Sequence, residues 1–182
     1  MSNLFFRTLL ALPLLLLSPA RAAPAAGTIV VAASLPLTGE EAKAGDRVRE
    51  GYQYAFDEAA RAGGLLVGGR RVPLTLRVVD DGTNKEKAAA LARSLVERDG
   101  ADFLLGSFST PIVEAQAAVA DQLKVPYVTS SGSAASIYRH GYRYVFSVSA
   151  PTEQLAATLM RWIDDQQRMG KLRSPLRIAV AV

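Results

Sequence analysis

The sequence predicts an α/β protein with a three-layer architecture, in which helices cover both faces of a parallel sheet. Short apolar runs rich in β-branched residues alternate along the chain with segments whose apolar residues recur at helical spacing. Parallel strands need long crossover connections, usually helices, and these helices pack on the faces of the sheet. The order predicted between residues 28 and 128 is βαβαβαβ, with right-handed crossovers.

The first predicted strand and helix lie in the segment that ends at Gly64. Residues 28–35, TIVVAASL, form an apolar run that is typical of a buried strand. A helix follows, and Gly63 and Gly64 are expected to end it. The apolar residues that share one face of this helix are Val48, Tyr52, Ala55, Phe56 and Ala59. The apolar run at residues 72–79 then predicts the second strand.

The second helix is predicted to follow the sequence DDGTN. Thr83 and Glu86 have the spacing of a capping box, so we expect Thr83 to cap this helix. Asp80 and Asp81 stand directly before it. Because adjacent residues at a strand end point to opposite sides, we interpret these two carboxylates as turn and helix-entry residues and not as an acid–base pair. The inward face of the helix comprises Ala88, Leu91, Ala92 and Leu95.

Two more strands and a helix complete this first unit. Phe103–Leu105 predicts a short third strand, Pro111 begins the third helix, and residues 125–128 predict the fourth strand. The inward face of the third helix comprises Ile112, Ala115, Val119 and Leu123.

A new strand–helix series is predicted towards the C-terminus. Residues 142–148 suit a strand, and the helix that follows has an apolar face of Leu155, Leu159, Trp162 and Ile163. We interpret Trp162 as a core residue because it lies on that stripe. The chain ends on LRIAVAV, residues 176–182, which reads as a buried strand, so we expect this sequence to be the front part of a longer protein.

The N-terminus has the layout of a secretory signal peptide. Arg7 precedes an apolar stretch at residues 9–17, and the small-residue pattern Ala20-Arg21-Ala22 follows. We therefore expect residues 1–22 to be removed on export to the periplasm. The alternative, a membrane anchor, is weak because the stretch is about half of the ~20 residues that a spanning helix needs.

Composition excludes several classes of function. The sequence has no cysteine, which excludes disulfide scaffolds, thiolate metal sites and cysteine nucleophiles. After loss of the leader, 19 basic residues face 17 acidic ones, a balance that does not favour nucleic-acid binding. No nucleophile elbow, Walker loop or dinucleotide fingerprint can be found. The single histidine, His140, is interpreted as a solvated loop residue, so we expect neither an enzyme nor a metal or cofactor site.

The polar loops that follow the predicted strands are the candidate ligand sites. In open parallel sheets, ligands bind beyond the carboxyl ends of the strands. The loops expected there have the sequences LTGEEAKAG, DDGTN, GSFSTP and TSSGSAAS. Ser107, Ser109 and Thr110 precede a helix whose N-terminus suits an anion such as a carboxylate. The alternative is that Ser109 or Thr110 only caps that helix.

Four segments in the same order carry a family resemblance. The segment from LPLTGEEAKAG to RVVDD, the segment AAALARSLVERDGADFLLGSFST, and the stretches VPYVTSSGSAAS and GYRYVFSVSAPTEQ resemble the leucine/isoleucine/valine-binding proteins of ABC importers. The resemblance implies a type I periplasmic-binding (Venus-flytrap) fold, in which two α/β lobes close on a small ligand. By that pattern, residues 23–151 form the N-terminal lobe and residues 152–182 begin an incomplete second lobe.

The resemblance also implies particular ligand-binding residues. A serine hydroxyl in the third loop would hold a ligand carboxylate, and it corresponds to Ser109, with Thr110 as the neighbouring alternative. The hydroxyl and backbone N–H of Ser133 would hold the same carboxylate, next to Gly132. The carbonyl of Ser131 would accept from the ammonium of an amino acid.

One family position differs in this sequence. Thr152 stands where an acidic residue often assists with the ammonium of an amino acid, so this sequence departs from the family at that part of amino-acid recognition. The ligand that the resemblance as a whole implies is a small carboxylate, such as a branched-chain or other amino acid. Lys43 lies in the first loop, where the family commonly places a residue of the side-chain pocket; we expect it to extend into solvent, and the alternative is a more polar or acidic ligand. The partner implied is an ABC permease in the inner membrane. The alternative function is a periplasmic sensor domain that signals to a membrane protein.

Overall fold

The computed structural model describes residues 27–177 and residue 179. The predicted signal peptide therefore lies outside the described residues, and so does most of the predicted C-terminal strand. Within the described part, no helix combines the length and the apolar composition needed to cross a membrane.

A five-stranded parallel sheet forms the centre of the structure. Its strands, in chain order, are β1 (Ile29–Leu35), β4 (Leu74–Asp80), β5 (Phe103–Leu105), β6 (Tyr127–Thr129) and β7 (Val145–Ser147). Their spatial order is β4-β1-β5-β6-β7, and every neighbouring pair is parallel. The strands β2 (Leu65–Val67) and β3 (Arg70–Val72) form a separate antiparallel hairpin. The predicted α/β class with a parallel sheet is confirmed.

Helices lie on both faces of the sheet. The helices on these faces are α1 (Ala42–Arg61), α2 (Lys85–Glu97) and α3 (Thr110–Leu123); the short α4 (Ala135–Arg139) follows β6, and α5 (Thr152–Arg168) follows β7. Side chains alternate between the faces along a strand, so Val30 and Ala32 of β1 face one side and Ile29 and Val31 face the other. The first side packs against α2 and α3, and the second faces α1.

The main core lies between the sheet and the helices α2 and α3. Leu95 and Leu104 are almost completely buried there, and the predicted inward residues Ala88 and Ala92 of α2 are buried as well. Full burial of a leucine side chain contributes about 1.5–3 kcal/mol, so this layer supplies most of the apolar stabilisation. The opposite face is less complete, because an apolar groove of about 510 Å³ remains beside α1, with Phe56, Phe103 and Leu105 in its lining.

The segment after α1 differs from the prediction. The run at residues 72–79 is not one strand: Val72 closes the hairpin, and β4 begins at Leu74 after Pro73. Gly68 and Gly69 both have positive φ, which allows the tight turn between β2 and β3. Three residues per strand are too few to show a clear period of two, which is why this hairpin was missed in the sequence.

The predicted cap of α2 is wrong. The cap residue is Asn84, whose side chain accepts a hydrogen bond of 2.7 Å from the backbone N–H of Lys87. Thr83 instead has a positive φ of 62°, and its hydroxyl donates to the carbonyl of Thr38 in the loop after β1. The tertiary contact with another loop overrides the local capping pattern.

The helix α5 has no buried residue. Trp162, predicted to be core, is 54% exposed, and Leu155 and Leu159 on the same stripe are also more than half exposed. The prediction that Trp162 is a core residue is therefore wrong for the described chain, because no described element packs across this face of α5 closely enough to bury it.

Candidate functional site

The order of the strands places a crevice at one edge of the sheet. The chain adds β4 on one side of β1 and then crosses over to add β5 on the other side. Loops that follow β1 and β5 therefore run to opposite faces of the sheet, towards α1 and α3. This is the topological switch point at which open α/β sheets bind ligands.

A carboxylate at the end of β4 shapes the first wall of the crevice. Oδ1 of Asp80 accepts hydrogen bonds from the backbone N–H groups of Leu37, Thr38 and Gly82 at 2.8–3.1 Å. The hydrogen bond from the Thr38 hydroxyl, with these backbone donors, lowers the pKa of Asp80. Asp80 is therefore a structural anion that orders the loop after β1.

The neighbouring Asp81 is buried and has separate partners. It accepts from the Ser34 hydroxyl at 3.2 Å and from the backbone N–H of Thr83 at 3.0 Å. Burial raises the pKa of this carboxyl despite both hydrogen bonds. Because Asp80 and Asp81 hold different groups, the interpretation as turn and helix-entry residues agrees with the structure, although neither caps α2.

Tyr52 connects α1 to the carboxyl ends of two strands. Its hydroxyl donates a 2.6 Å hydrogen bond to the carbonyl of Gly106, which follows β5. Burial raises the pKa of Tyr52 to about 12, and a hydrogen bond with Ser130, after β6, opposes that rise. Sequence analysis assigned Tyr52 only to the apolar face of a helix, since its spacing gives no sign of a polar role.

Ser109 occupies an unusual backbone conformation immediately before α3. It is the N-cap residue, but its side chain makes no capping hydrogen bond. Its backbone has a φ of 67° and a ψ of 144°, a conformation that residues other than glycine rarely adopt. Ser109 therefore stands at the N-cap position, but its side chain does not cap the helix, contrary to the capping alternative for this residue. Thr110 is the first residue of α3. Ser109 lines a cavity of about 320 Å³ between the loops that precede α1, α2 and α3.

The loop after β6 is held by hydrogen bonds and by one close approach. The Thr129 hydroxyl donates to the carbonyl of Ser131 at 2.7 Å, and the Tyr138 hydroxyl donates to the carbonyl of Gly132 at 3.0 Å. Gly132 has a φ of 70°, and a Cβ built on it would lie 2.5 Å from Cγ1 of Val113. Only glycine fits at this position, which lets the loop pack directly on the first turn of α3.

Ser133, the residue after Gly132, is tied to the start of α5. Its Oγ accepts a hydrogen bond of 2.8 Å from Oγ1 of Thr152, and its carbonyl accepts one of 2.8 Å from the backbone N–H of the same residue. Ser149, just before α5, donates to the carbonyl of Ser130 at 3.0 Å. The segment that leads into α5 therefore lies against the loop after β6.

The structure brings the predicted site residues to one edge of the sheet but not into one cavity. The lining of the cavity beside Ser109 does not include Ser131, Gly132 or Ser133. The latter three lie in the next loop, which contacts α3 through Val113. Sequence reasoning missed the supporting roles of Thr129 and Tyr138, because they depend on contacts that only the folded loop makes.

The other residues considered in the sequence, His140 and Lys43, lie outside this group of loops. His140 is half-exposed, as expected of a loop residue, but it is paired with Oε1 of Glu114 at 3.1 Å and stacks on Tyr142. Lys43 is exposed, as expected, but it lies in the first turn of α1 and not in the loop before it. Within the described residues, no cluster of histidine and carboxylate side chains could hold a metal ion. The edge offers hydroxyls, backbone N–H groups and the N-terminus of α3, which suit a small anion.

Comparisons with known proteins agree with this geometry. The family described as periplasmic binding protein matches residues 28–173. A leucine-, isoleucine-, valine-, threonine- and alanine-binding protein of Pseudomonas aeruginosa is 30% identical over 122 residues, which are 67% of this chain and 31% of that protein. This chain therefore spans about a third of the length of that relative.

Solved structures share the fold. A branched-chain amino acid substrate-binding protein from Streptococcus pneumoniae, in complex with isoleucine, has a TM-score of 0.61 and 24% identity, over 68% of this chain and 34% of that one. A solute-binding protein of an ABC transporter from R. palustris, in complex with benzoate, has a TM-score of 0.60 and 26% identity, over 70% and 34%. The fold is that of the type I periplasmic-binding proteins, and the chain belongs to the periplasmic binding protein family, whose members bind solutes outside the cytoplasm.

Proposed function

We propose that this protein is the substrate-binding component of an ABC importer and binds the carboxylate of a small ligand between Ser109 and Ser133. The observation that carries the proposal is the conformation of Ser109. A residue held at φ 67° costs about 1–3 kcal/mol, and such strain persists where a functional geometry requires it. Its side chain makes no capping bond to α3, so the hydroxyl stays available to a ligand.

The chemistry of this edge favours a carboxylate. The first backbone N–H groups of α3 have no partner within the helix, and the helix dipole adds a partial positive charge there. Ser133 adds a hydroxyl and a backbone N–H from the next loop. Each hydrogen bond to a charged group contributes about 1.5–3 kcal/mol. Thr110, one residue further along α3, is the alternative donor in place of Ser109.

An amino acid is the form of ligand that fits the remaining groups. The carbonyl of Ser131 accepts one hydrogen bond, from Thr129, and a carbonyl has a second lone pair that an ammonium can use. Both amino acids and other carboxylates are candidate classes of ligand, since solved structures with this fold are complexes with isoleucine and with benzoate. The ligand class proposed is therefore a small carboxylate such as a branched-chain or other amino acid.

The transport role implies further parts of the system. Residues 1–22 would direct export and be removed, and the protein would work in the periplasm. Residues 23–151 would form the first lobe, and residues 152–182 would begin the second. Closure of the two lobes around the ligand would select the conformation that an ABC permease of the inner membrane recognises.

Calorimetric titration of the intact protein tests the site. L-leucine, L-valine and benzoate are the probes, and wild type is compared with Ser109→Ala, Thr110→Ala and Ser133→Ala. We expect at least one probe to bind, and the Ser109 and Ser133 variants to bind it roughly ten- to a hundredfold more weakly. If Thr110→Ala weakens binding but Ser109→Ala does not, the carboxylate is held by Thr110 in place of Ser109. Unchanged affinity in all three variants, or no binding of any probe, would reject the proposed site.

A further inference from the structure

Two hydrogen bonds join Thr152 to Ser133, although 19 residues separate them in sequence. The Thr152 hydroxyl donates to Oγ of Ser133 at 2.8 Å, and the Thr152 backbone N–H donates to the Ser133 carbonyl, also at 2.8 Å. The N-cap of α5 is Pro151, and no side chain caps this helix. The Thr152 hydroxyl is therefore engaged with the loop after β6 and not with its own helix.

The hydrogen bond from Thr152 affects which groups the Ser133 hydroxyl can donate to. A serine hydroxyl has one proton to donate and two lone pairs with which to accept. Either hydroxyl of this pair can donate, but a ligand carboxylate can only accept; when Ser133 donates to such a ligand, Thr152 is the donor between the two hydroxyls and Oγ of Ser133 accepts from it. A hydroxyl that accepts a hydrogen bond is also a stronger donor, since successive hydrogen bonds polarise one another.

We propose that Thr152 is a positioning residue, which orients the Ser133 hydroxyl as a donor to the ligand carboxylate and so determines part of the affinity of the site. This inference rests on the proposed function, since it requires Ser133 to contact the ligand. Thr152 acts through Ser133 and does not itself touch the ligand. The second bond, from the Thr152 backbone, fixes the loop whichever side chain stands at residue 152.

Substitutions at Thr152 separate the hydroxyl from the rest of the residue. Thr152→Val keeps the shape and the backbone bond but removes the hydroxyl, and Thr152→Ser keeps the hydroxyl. Thr158→Val is the matched control, because the Thr158 hydroxyl donates to the carbonyl of Gln154 within the same helix. L-leucine and benzoate are titrated calorimetrically into the intact protein. We expect Thr152→Val to weaken binding about three- to tenfold, and the other two variants to change it less than twofold.

A double-mutant cycle with Ser133→Ala shows whether the effect passes through Ser133. We expect Thr152→Val to have no further effect on affinity once Ser133 is alanine. If Ser133→Ala weakens binding but Thr152→Val does not, or if Thr152→Val weakens it equally in both backgrounds, the positioning role is wrong and the proposed function stands. If Ser133→Ala leaves affinity unchanged, Ser133 does not hold the ligand and the inference fails, whereas the proposed function fails only if the Ser109 and Thr110 variants also bind unchanged or if L-leucine, L-valine and benzoate all fail to bind. Thr152→Ala replaces the valine variant should melting curves show that valine disturbs the fold.

Discussion

The Thr38 hydroxyl donates a 2.6 Å hydrogen bond to Oδ2 of Asp80, joining the loop after β1 to the end of β4. The other carboxylate oxygen holds three backbone N–H groups in the same two loops. One ionised side chain therefore sets the conformation of a wall of the crevice. Its contribution depends on its charge, because hydrogen bonds to a charged acceptor are the stronger ones.

Removal of this carboxylate is expected to loosen the loop after β1. Asp80→Ala should lower the free energy of unfolding by roughly 1.5–3 kcal/mol, since several N–H groups lose a charged acceptor. Asp80→Asn, the matched control, keeps one oxygen and should cost less. Urea denaturation of the three proteins measures the difference. Equal stability of wild type and Asp80→Ala would show that the loop does not depend on Asp80.

The same hydrogen bonds to Asp80 predict that the stability of the protein depends on pH in the acid range. The pKa of Asp80 is lowered from 3.8, so its stabilising contribution is present above that value and is lost as the pH falls through the lower folded pKa. The stability difference between wild type and Asp80→Asn should therefore narrow below about pH 4. Denaturation at a series of pH values from 2 to 7 measures this. A difference that stays constant over this range would contradict the charge-based account.

Strain at Ser109 predicts that glycine and alanine substitutions there affect stability differently. Ser109→Gly should raise the free energy of unfolding by about 1 kcal/mol, because glycine adopts a φ of 67° without a steric penalty. Ser109→Ala keeps the strain and should leave stability nearly unchanged. Both substitutions remove the hydroxyl, so both should weaken the binding of a carboxylate. Thermal melting without ligand measures the stability of both variants, and titration with ligand measures their binding of a carboxylate. If the glycine variant were less stable than the alanine variant, the backbone strain at Ser109 would be absent.

Gly132 is expected to tolerate no side chain. Gly132→Ala would place Cβ 2.5 Å from Cγ1 of Val113 at a φ of 70°, so both the backbone and the packing oppose it. We expect a loss of about 2 kcal/mol or more of stability. Gly141→Ala is the control, since Gly141 also has a positive φ of 73° but no atom lies within 4 Å of its Cβ position. If the two variants lost equal stability, the contact with Val113 would not matter.

Tyr52 predicts a loss of stability at alkaline pH. Burial raises its folded pKa to about 12 from 10.0, so its contribution is fully present below pH 10 and is lost as the pH rises to about 12. A shift of this size corresponds to about 2–3 kcal/mol. Tyr52→Phe removes the ionisable group and should lose less stability over that range. Denaturation of both proteins at pH 9, 10, 11 and 12 makes the comparison. If the free energies of unfolding of the two proteins fell equally with pH, the pKa of Tyr52 would not be raised in the folded state.

The exposed stripe of α5 predicts that hydrogen exchange differs between the helices. When residues 23–182 are expressed alone, the amides of α5 should exchange faster than those of α3, because α5 has no buried residue whereas α3 has several. Aggregation through the exposed Leu155, Leu159 and Trp162 is the other expected consequence. Hydrogen exchange followed by mass spectrometry measures the first, and equal protection of both helices in a soluble monomer would contradict it.

The sequence predicted the elements whose patterns are local and long. The inward face of α2 is one example, because Ala88, Ala92 and Leu95 recur at helical spacing and are all buried. The position of Ser109 and of the TSSGSAAS loop beyond strand ends also followed from sequence, since parallel strands all end at one edge. The hairpin of β2 and β3 and the capping role of Asn84 did not, because short strands carry little periodicity and Thr83 bonds to a distant loop.

The sequence by itself determined the alternation of strands and helices and the chemistry of the loops between them. Only the tertiary structure decided which strands are neighbours, so only it could show that the crevice opens between β1 and β5. It also decided that Asp80 holds Thr38 and that Thr152 holds Ser133, pairs separated by 42 and 19 residues. The physical reason is that periodicity records which face of an element is apolar, whereas hydrogen bonds between loops depend on how the crossovers place those loops in space.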